Sequence, residues 1–162
     1  MTRAKKSLGQ NFLVNKNMIK KIISVTDITN KNILEVGPGT GNLTNEILKK
    51  NPNFFLAVEK DNNLAKELQK RFHNKVNIIN NDILKINENS LCEKPLTVFG
   101  NLPYNISTEI LIKWIMNMHY EKSWFDYLIL MFQKEVAERI ISKFNNKTYG
   151  RLSIIANWRL NI

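Results

Sequence analysis

Cysteine is almost missing from these 162 residues. Cys92 stands alone, so no disulfide closes within the chain and no cysteine-rich metal site can form. Histidine is nearly as scarce, and His73 and His119 lack the neighbours that a metal site or a catalytic triad demands; both read as surface or ordinary structural residues. No run approaches the roughly 20 consecutive apolar residues of a membrane span. The basic start, Met1-Thr2-Arg3-Ala4-Lys5-Lys6, is not followed by the apolar core of a secretory signal. No basic amphipathic helix with bulky apolar residues opposite marks a membrane-surface binder. Long repeats and low-complexity linkers are absent too. These absences predict a cytoplasmic protein with no membrane partner. Carboxylates are also in short supply: 14 Asp and Glu against 24 Lys and Arg leave a formal charge of +10. That excess points to a polyanionic partner, although a generally basic proteome would give the same figure.

What is present is a hydrophobic share of 43%, enough in a chain of this length for one well-filled core. Short apolar runs alternate with amphipathic stretches. Met18, Ile19, Ile22 and Ile23 recur at helical spacing behind a cap at Asn15 or Asn17. Ile33–Val36, Phe54–Val58, Val76–Ile79, Leu96–Phe99 and Tyr127–Met131 read as strands. Between and after them, Leu43, Ile47 and Leu48, then Leu64, Leu68 and Phe72, then Ile110, Leu111, Trp114, Ile115 and Met118, and finally Val136, Ala137, Ile140 and Ile141 mark helical inner faces. This alternation predicts an α/β domain, a mainly parallel sheet with helices on both faces. Its active edge then lies at the carboxyl ends of the strands, where Gly37, Glu59, Asp82 and Asn101 fall. Tyr149–Ile154 opens a further helix, and Leu160-Asn161-Ile162 resembles the start of a strand that is not completed. The expectation is one domain over 1–162, truncated before its last strands.

Two runs carry the chemistry. In Glu35-Val36-Gly37-Pro38-Gly39-Thr40-Gly41, the glycines at 37, 39 and 41 let the backbone turn tightly and approach a ligand where a β-carbon would clash. The helix beginning near Asn42 adds unsatisfied N–H groups. The spacing is G-x-G-x-G, not the G-x-G-x-x-G of dinucleotide folds. Glu59 ends a strand about 20 residues on, where a carboxylate accepts hydrogen bonds from ribose hydroxyls; S-adenosylmethionine and nicotinamide dinucleotides share that need. Asp82 is a candidate acceptor for the cofactor's adenine amino group, with a turn or helix cap in Asn80-Asn81-Asp82 as its serious rival.

The second run is Gly100-Asn101-Leu102-Pro103-Tyr104, directly after an apolar strand. An exocyclic adenine amine is a poor nucleophile because its lone pair is delocalised into the ring. Two acceptors aimed at its hydrogens favour a pyramidal nitrogen whose lone pair can meet a methyl donor. The Asn101 side-chain oxygen is one acceptor and the Leu102 carbonyl the other. Pro103 restrains the turn and the residue before it, and Tyr104 offers a face on which a base stacks. Alignment and electrostatics then carry most of the rate. A plain strand-to-helix turn is the bland alternative, since Asn and Pro both favour turns. Together the two runs point to S-adenosylmethionine-dependent methylation of adenine N6.

With these residues on the page, the chain resembles the ribosomal RNA adenine N6-dimethyltransferase family, in particular its small-subunit branch. The matching runs are Gly9–Leu13, Glu35–Gly41, Val58–Asp61, Gly100–Ser107, Met131–Arg139 and Tyr149–Ser153, spread over nearly the whole chain in the family's order. The resemblance implies the Rossmann-like methyltransferase fold. It also implies that Asn11, Leu13, Gly37, Glu59, Asp82 and Asn101, with Gly39 in the loop, bind S-adenosylmethionine, and that Asn101, Leu102, Pro103 and Tyr104 hold the target adenine. It implies dimethylation of two adjacent adenines in a hairpin loop near the 3′ end of small-subunit RNA, within an immature subunit, by a monomer. The family's later proline-rich motif, final strands and small helical domain are not among these residues.

Lys5, Lys6, Lys134, Arg139, Lys143 and Lys147 are candidates for phosphate contact, although each alone is as readily a solvated charge. A splayed single-stranded loop is the natural substrate because N6 is paired in a duplex. Trp114 fits a helix core face, while Trp124 and Trp158 fit either core or lid. Three rival readings remain. The large-subunit, macrolide-resistance branch has a similar Asn-hydrophobic-Pro-Tyr run, but Met131–Arg139 and Tyr149–Ser153 favour the small-subunit branch. A non-catalytic RNA-binding assembly factor would need neither run, and a nicotinamide oxidoreductase is disfavoured by the glycine spacing.

Overall fold

A computed structural model describes residues 12–118 and 123–162. Five strands form one sheet: β1 (Asn32–Val36), β2 (Phe54–Glu59), β3 (Asn77–Asn80), β4 (Leu96–Gly100) and β5 (Phe125–Leu130). Every pairing is parallel, in the spatial order β3-β2-β1-β4-β5. The helices among the described residues are α1 (Lys16–Ile23), α2 (Asn42–Leu48), α3 (Asn62–Arg71), α4 (Ser107–Met116), α5 (Lys134–Ile140) and α6 (Arg151–Arg159), with 3-10 turns at Ile83–Lys85 and Glu88–Ser90.

Burial explains the pattern. The central strands β1 and β4 are buried along their whole length, as parallel strands covered on both faces must be. Alternate side chains face opposite layers. On one side Ile33, Phe55, Ala57 and Phe99 pack with Ile19, Ile22 and Ile23 of α1, Leu43 and Ile47 of α2, and Leu68 of α3. On the other side Leu34, Val36, Leu56, Val58, Leu96 and Val98 pack with Ile110 and Trp114 of α4 and with Trp124. A third cluster joins Leu111 and Ile115 of α4 to Ile140 of α5 and Ala156 of α6. None of the helices among the described residues is long and apolar enough to cross a membrane.

The chain winds outward from β1 through β2 to β3, then returns to the other side of β1 as β4. That reversal opens a crevice beyond the carboxyl ends of β1 and β4, the place where open α/β sheets bind ligands. Gly37 and Asn101 follow these two strands directly.

Several boundaries differ from the sequence reading. β5 begins at Phe125, not Tyr127, and Met131 lies beyond it, its N–H bonded to the Gly100 carbonyl at 2.9 Å. Ile141 falls one residue past α5 and is 59% exposed, and Met18 sits on the outer side of α1, 47% exposed. Asn15, not Asn17, caps α1: its side chain accepts from the N–H groups of Asn17 and Met18. Leu160–Ile162 does not begin a strand, because the Leu160 N–H closes α6 by bonding to the Ala156 carbonyl. Trp124 is core, whereas Trp158 is exposed with the Arg159 guanidinium 4.2 Å from its ring centre.

Candidate functional site

The turn after β1 is built by backbone that only glycine adopts readily. Gly37, Gly39 and Gly41 all have positive φ, at 71°, 57° and 74°. The Gly37 N–H bonds to the Val58 carbonyl and the Gly41 N–H to the Pro38 carbonyl, which folds the loop back onto β2. A β-carbon on Gly41 would lie 2.7 Å from the Phe72 ring, so this glycine seats the loop against α3. A β-carbon on Gly37 would lie 3.2 Å from the Asn101 backbone oxygen. The loops after β1 and β4, some sixty residues apart in sequence, therefore touch.

Between them lies a cleft lined by Phe12, Leu13, Glu35, Gly37, Pro38, Gly39, Asn42, Leu43, Glu59, Asn101 and Pro103. Glu59, 5% exposed at the end of β2, accepts the Gly39 N–H on Oε2 at 3.0 Å and the Asp61 N–H on Oε1 at 2.8 Å. Burial raises its pKa above the ordinary carboxylate value, partly offset by these amide bonds. Each oxygen keeps a further lone pair, so the carboxylate can still accept a hydroxyl. Glu35, 1% exposed on β1, accepts the Thr44 hydroxyl of α2 at 2.6 Å. Burial pushes its pKa up to about 8, the Thr44 bond works against that, and the neighbouring Glu59 charge adds to it. Among the described residues, no Lys, Arg or His lines the cleft. Two buried carboxyl groups, which a nearby cation would help to ionise, make a pocket suited to a positively charged ligand.

The cleft unites most of the residues the sequence singled out. Leu13, Gly37, Gly39, Glu59, Asn101 and Pro103 line it, and the Leu13 carbonyl is fixed by the Asn42 side-chain N–H at 2.9 Å. Leu102 turns its side chain into the core at 2% exposure, while Tyr104 stands 42% exposed at the start of the turn into α4. The Tyr104 carbonyl accepts the Ser107 hydroxyl, and the Pro103 carbonyl accepts the Ile106 N–H, so the Asn101–Tyr104 segment is pinned to the first turn of α4. Asp82 is not brought into the cleft lining. Its carboxylate accepts the Leu84 N–H at 3.0 Å, capping the 3-10 turn, and pairs with Lys60 at 2.7 Å. Partial burial works to raise its pKa, but Lys60 and the Leu84 amide outweigh it and hold the carboxyl below its ordinary value. Asn11, with Lys5, Lys6 and His119, lies outside the described residues.

Phe12, Glu35, Pro38 and Asn42 line the cleft without a role assigned from sequence. Glu35 had a signal: a carboxylate inside an otherwise apolar buried strand. Phe12, whose ring would meet a β-carbon on Gly39 at 3.0 Å, and Asn42, which ties residue 13 to the glycine loop, had none that single-sequence reasoning could separate from ordinary packing.

Comparison with known proteins gives the same picture. The family model described as ribosomal RNA adenine dimethylase matches residues 1–162. Ribosomal RNA small subunit methyltransferase A of Pelagibacter ubique is 60% identical over 160 residues, which cover 99% of this chain and 61% of that protein. Among solved structures, a dimethyladenosine transferase from Plasmodium falciparum is 30% identical with a TM-score of 0.77, covering 91% of this chain and 52% of that one. The 23S rRNA methyltransferase ErmE is 25% identical with a TM-score of 0.64, covering 90% of this chain and 55% of that one. The chain thus spans about three fifths of the length of the curated relatives it matches. A glycine loop after β1, an acidic end to β2 and an Asn-Leu-Pro-Tyr turn after β4, matched by the family model from end to end, show that the chain belongs to the ribosomal RNA adenine dimethylase family.

Proposed function

We propose that this protein transfers methyl groups from S-adenosylmethionine to N6 of two adjacent adenines in a hairpin loop near the 3′ end of small-subunit ribosomal RNA, methylating each twice. The single observation that carries this reading is the abutment of the Gly37 loop and the Asn101 carbonyl. It sets a pocket for a nucleoside cofactor beside a turn that can hold a second heterocycle. The 60% identity to a small subunit methyltransferase, against 25% to a 23S rRNA methyltransferase, supports the small-subunit substrate. The same reading places the RNA in an immature subunit and the protein, as a monomer, in the cytoplasm.

The residues fit the cofactor. The left-handed backbone at Gly37 and Gly39 leaves room that a β-carbon would fill, Glu59 offers lone pairs to ribose hydroxyls, and the carboxyl groups of Glu35 and Glu59 in the lining suit a sulfonium. Asn11 and Leu13 bind the cofactor, as the family resemblance implies, and Asp82 accepts from its adenine amine. When bound, S-adenosylmethionine supplies an activated methyl group on a positively charged sulfur. The protein's own contribution is placement. The Asn101 side-chain oxygen and the Leu102 carbonyl accept the two hydrogens of the target amine, which localises the nitrogen lone pair. Pro103 fixes that carbonyl, and the exposed ring of Tyr104 stacks on the flipped base.

Labelled-methyl transfer by the full-length protein to undermethylated small subunits, followed by nucleoside analysis, should yield N6,N6-dimethyladenosine; label in large-subunit RNA instead would refute the assignment. Asn101→Ala should lower turnover about 100-fold or more, the scale of a lost oxyanion-type contact, and change RNA affinity far less. Equal losses in both would remove its proposed role.

A further inference from the structure

Beyond Glu138 the chain contains no Asp or Glu, yet it carries Arg139, Lys143, Lys147, Arg151 and Arg159. Residues 139–162 thus supply half of the net charge of +10. Within this cationic stretch, the loop between α5 and α6 presents two aromatic rings. Phe144 is 78% exposed and stands edge-on to Tyr149, with ring centres 5.9 Å apart and planes at 87°. Lys143, Lys147 and Arg151 beside them are all exposed.

The loop has a defined shape. The hydroxyls of Ser142 and Thr148 meet across its neck at 2.9 Å. The Asn146 N–H bonds to the Lys143 carbonyl and the Tyr149 N–H to the Asn146 carbonyl. Its base is tied to α5, because the Ser153 hydroxyl donates to the Arg139 carbonyl and the Asn157 amide to the Ile140 carbonyl. Asn145, with φ of 71°, reverses the chain next to Phe144. One short helix separates the loop from the end of β5 beside the cleft. Met131 bonds to Gly100, the residue before Asn101, and the seven-residue α5 that follows is only about 10 Å long.

An apolar segment of polypeptide would satisfy the rings but not three cations without a carboxylate. A nucleotide satisfies both, with a base for the ring and phosphates for the ammonium and guanidinium groups. We propose that Phe144 and Tyr149 form a stacking site for an unpaired base of the RNA, flanked by phosphate contacts from Lys143, Lys147 and Arg151. The site rests on the RNA reading above. It is separate from the adenine turn at Asn101 and contributes affinity and orientation, not chemistry.

The test uses full-length protein and a single-stranded oligoribonucleotide carrying 2-aminopurine, whose fluorescence falls on stacking. Phe144→Ala should weaken binding about 5- to 150-fold, the span of one lost base–aromatic stack. It should abolish the quenching and leave S-adenosylmethionine affinity unchanged, while Phe144→Trp should restore both binding and quenching. Lys143→Ala and Lys147→Ala should each reduce the slope of log affinity against log salt by about 0.7. Wild-type binding and quenching in Phe144→Ala would overturn the site. So would a lowered melting temperature with RNA binding intact, since the ring would then be covered by another part of the polypeptide. If the unaltered protein bound no RNA, the RNA reading itself would fall, a result distinct from either of these.

Discussion

Replacing Glu35 by glutamine removes a buried ionisable group while keeping the side chain's shape and its bond from Thr44. The carboxyl is 1% exposed, and among the described residues no cation lines the cleft beside it. Its pKa is pushed from an ordinary 4.5 up to about 8, mainly by burial. Between those values the folded protein keeps a proton that the unfolded chain has released. Its contribution to stability is therefore complete below about pH 4.5. It then falls by up to about 1.4 kcal/mol per pH unit as pH rises, and levels off above about 8. At neutral pH the ligand-free protein has lost about 3 kcal/mol relative to acid. Glu35→Gln cannot ionise, so it should recover that amount. In a domain of this size the gain is about 6–12 °C in melting temperature. Calorimetric melting from pH 5 to 9 without ligand measures it directly. Glu59 is also raised by burial and gives a slope of the same sign, so the difference between the two proteins isolates Glu35. Parallel curves, separated by a constant offset, would refute the assignment of a protonated Glu35. A cationic ligand should relieve the same penalty, so S-adenosylmethionine should stabilise the unaltered protein more than the variant at pH 7.

Two further substitutions separate structural from binding roles. Asp82→Ala removes the cap on Leu84 and the pair with Lys60, for about 1 kcal/mol of stability in urea unfolding. If Asp82 also accepts from the cofactor's adenine, calorimetric titration should show S-adenosylmethionine affinity down about tenfold, one hydrogen bond to a charged group; unchanged affinity would leave the capping role alone. Glu88→Ala removes the carboxylate that accepts from the Lys113 ammonium, the Trp114 indole N–H and the Asn117 amide. Lys113 keeps its bonds to the Ile83 and Ile86 carbonyls but loses its counter-charge, and the buried Trp114 N–H loses its acceptor, so the change should cost about 3 kcal/mol in urea unfolding. A loss below 1 kcal/mol would mean that water replaces the carboxylate.

Most of the architecture was legible because fully buried parallel strands write themselves as short apolar runs, and because strand-to-helix turns need glycine, asparagine and proline. The cleft followed from those turns once the strand order reversed between β1 and β4. What escaped depended on partners distant in the chain. Glu88 sits in the polar run Asn87-Glu88-Asn89, which carries no signal of burial, but it is fully buried under Lys113 and Trp114 of α4. Glu35 looked like part of a loop motif, and only the helix nine residues on shows which group it bonds. At element ends the periodicity lost its meaning. Ile141 continues the α5 spacing after the helix has stopped, and Leu160-Asn161-Ile162 alternates like a strand although Leu160 still closes a helical bond. Asp82 illustrates a different limit, because a cap and a ligand acceptor require the same side chain at the same strand end.

The closeness of Gly37 to the Asn101 carbonyl bears on inhibitor chemistry. Because the glycine turn and the asparagine turn touch, a compound that fuses a nucleoside to a second heterocycle needs only a short tether to occupy both, and each half then raises the local concentration of the other. Escape by substitution is narrow there. Any larger residue at position 37 would press on the very carbonyl that borders the second compartment, so a change that blocked the drug would also deform the place where the natural nucleobase is held.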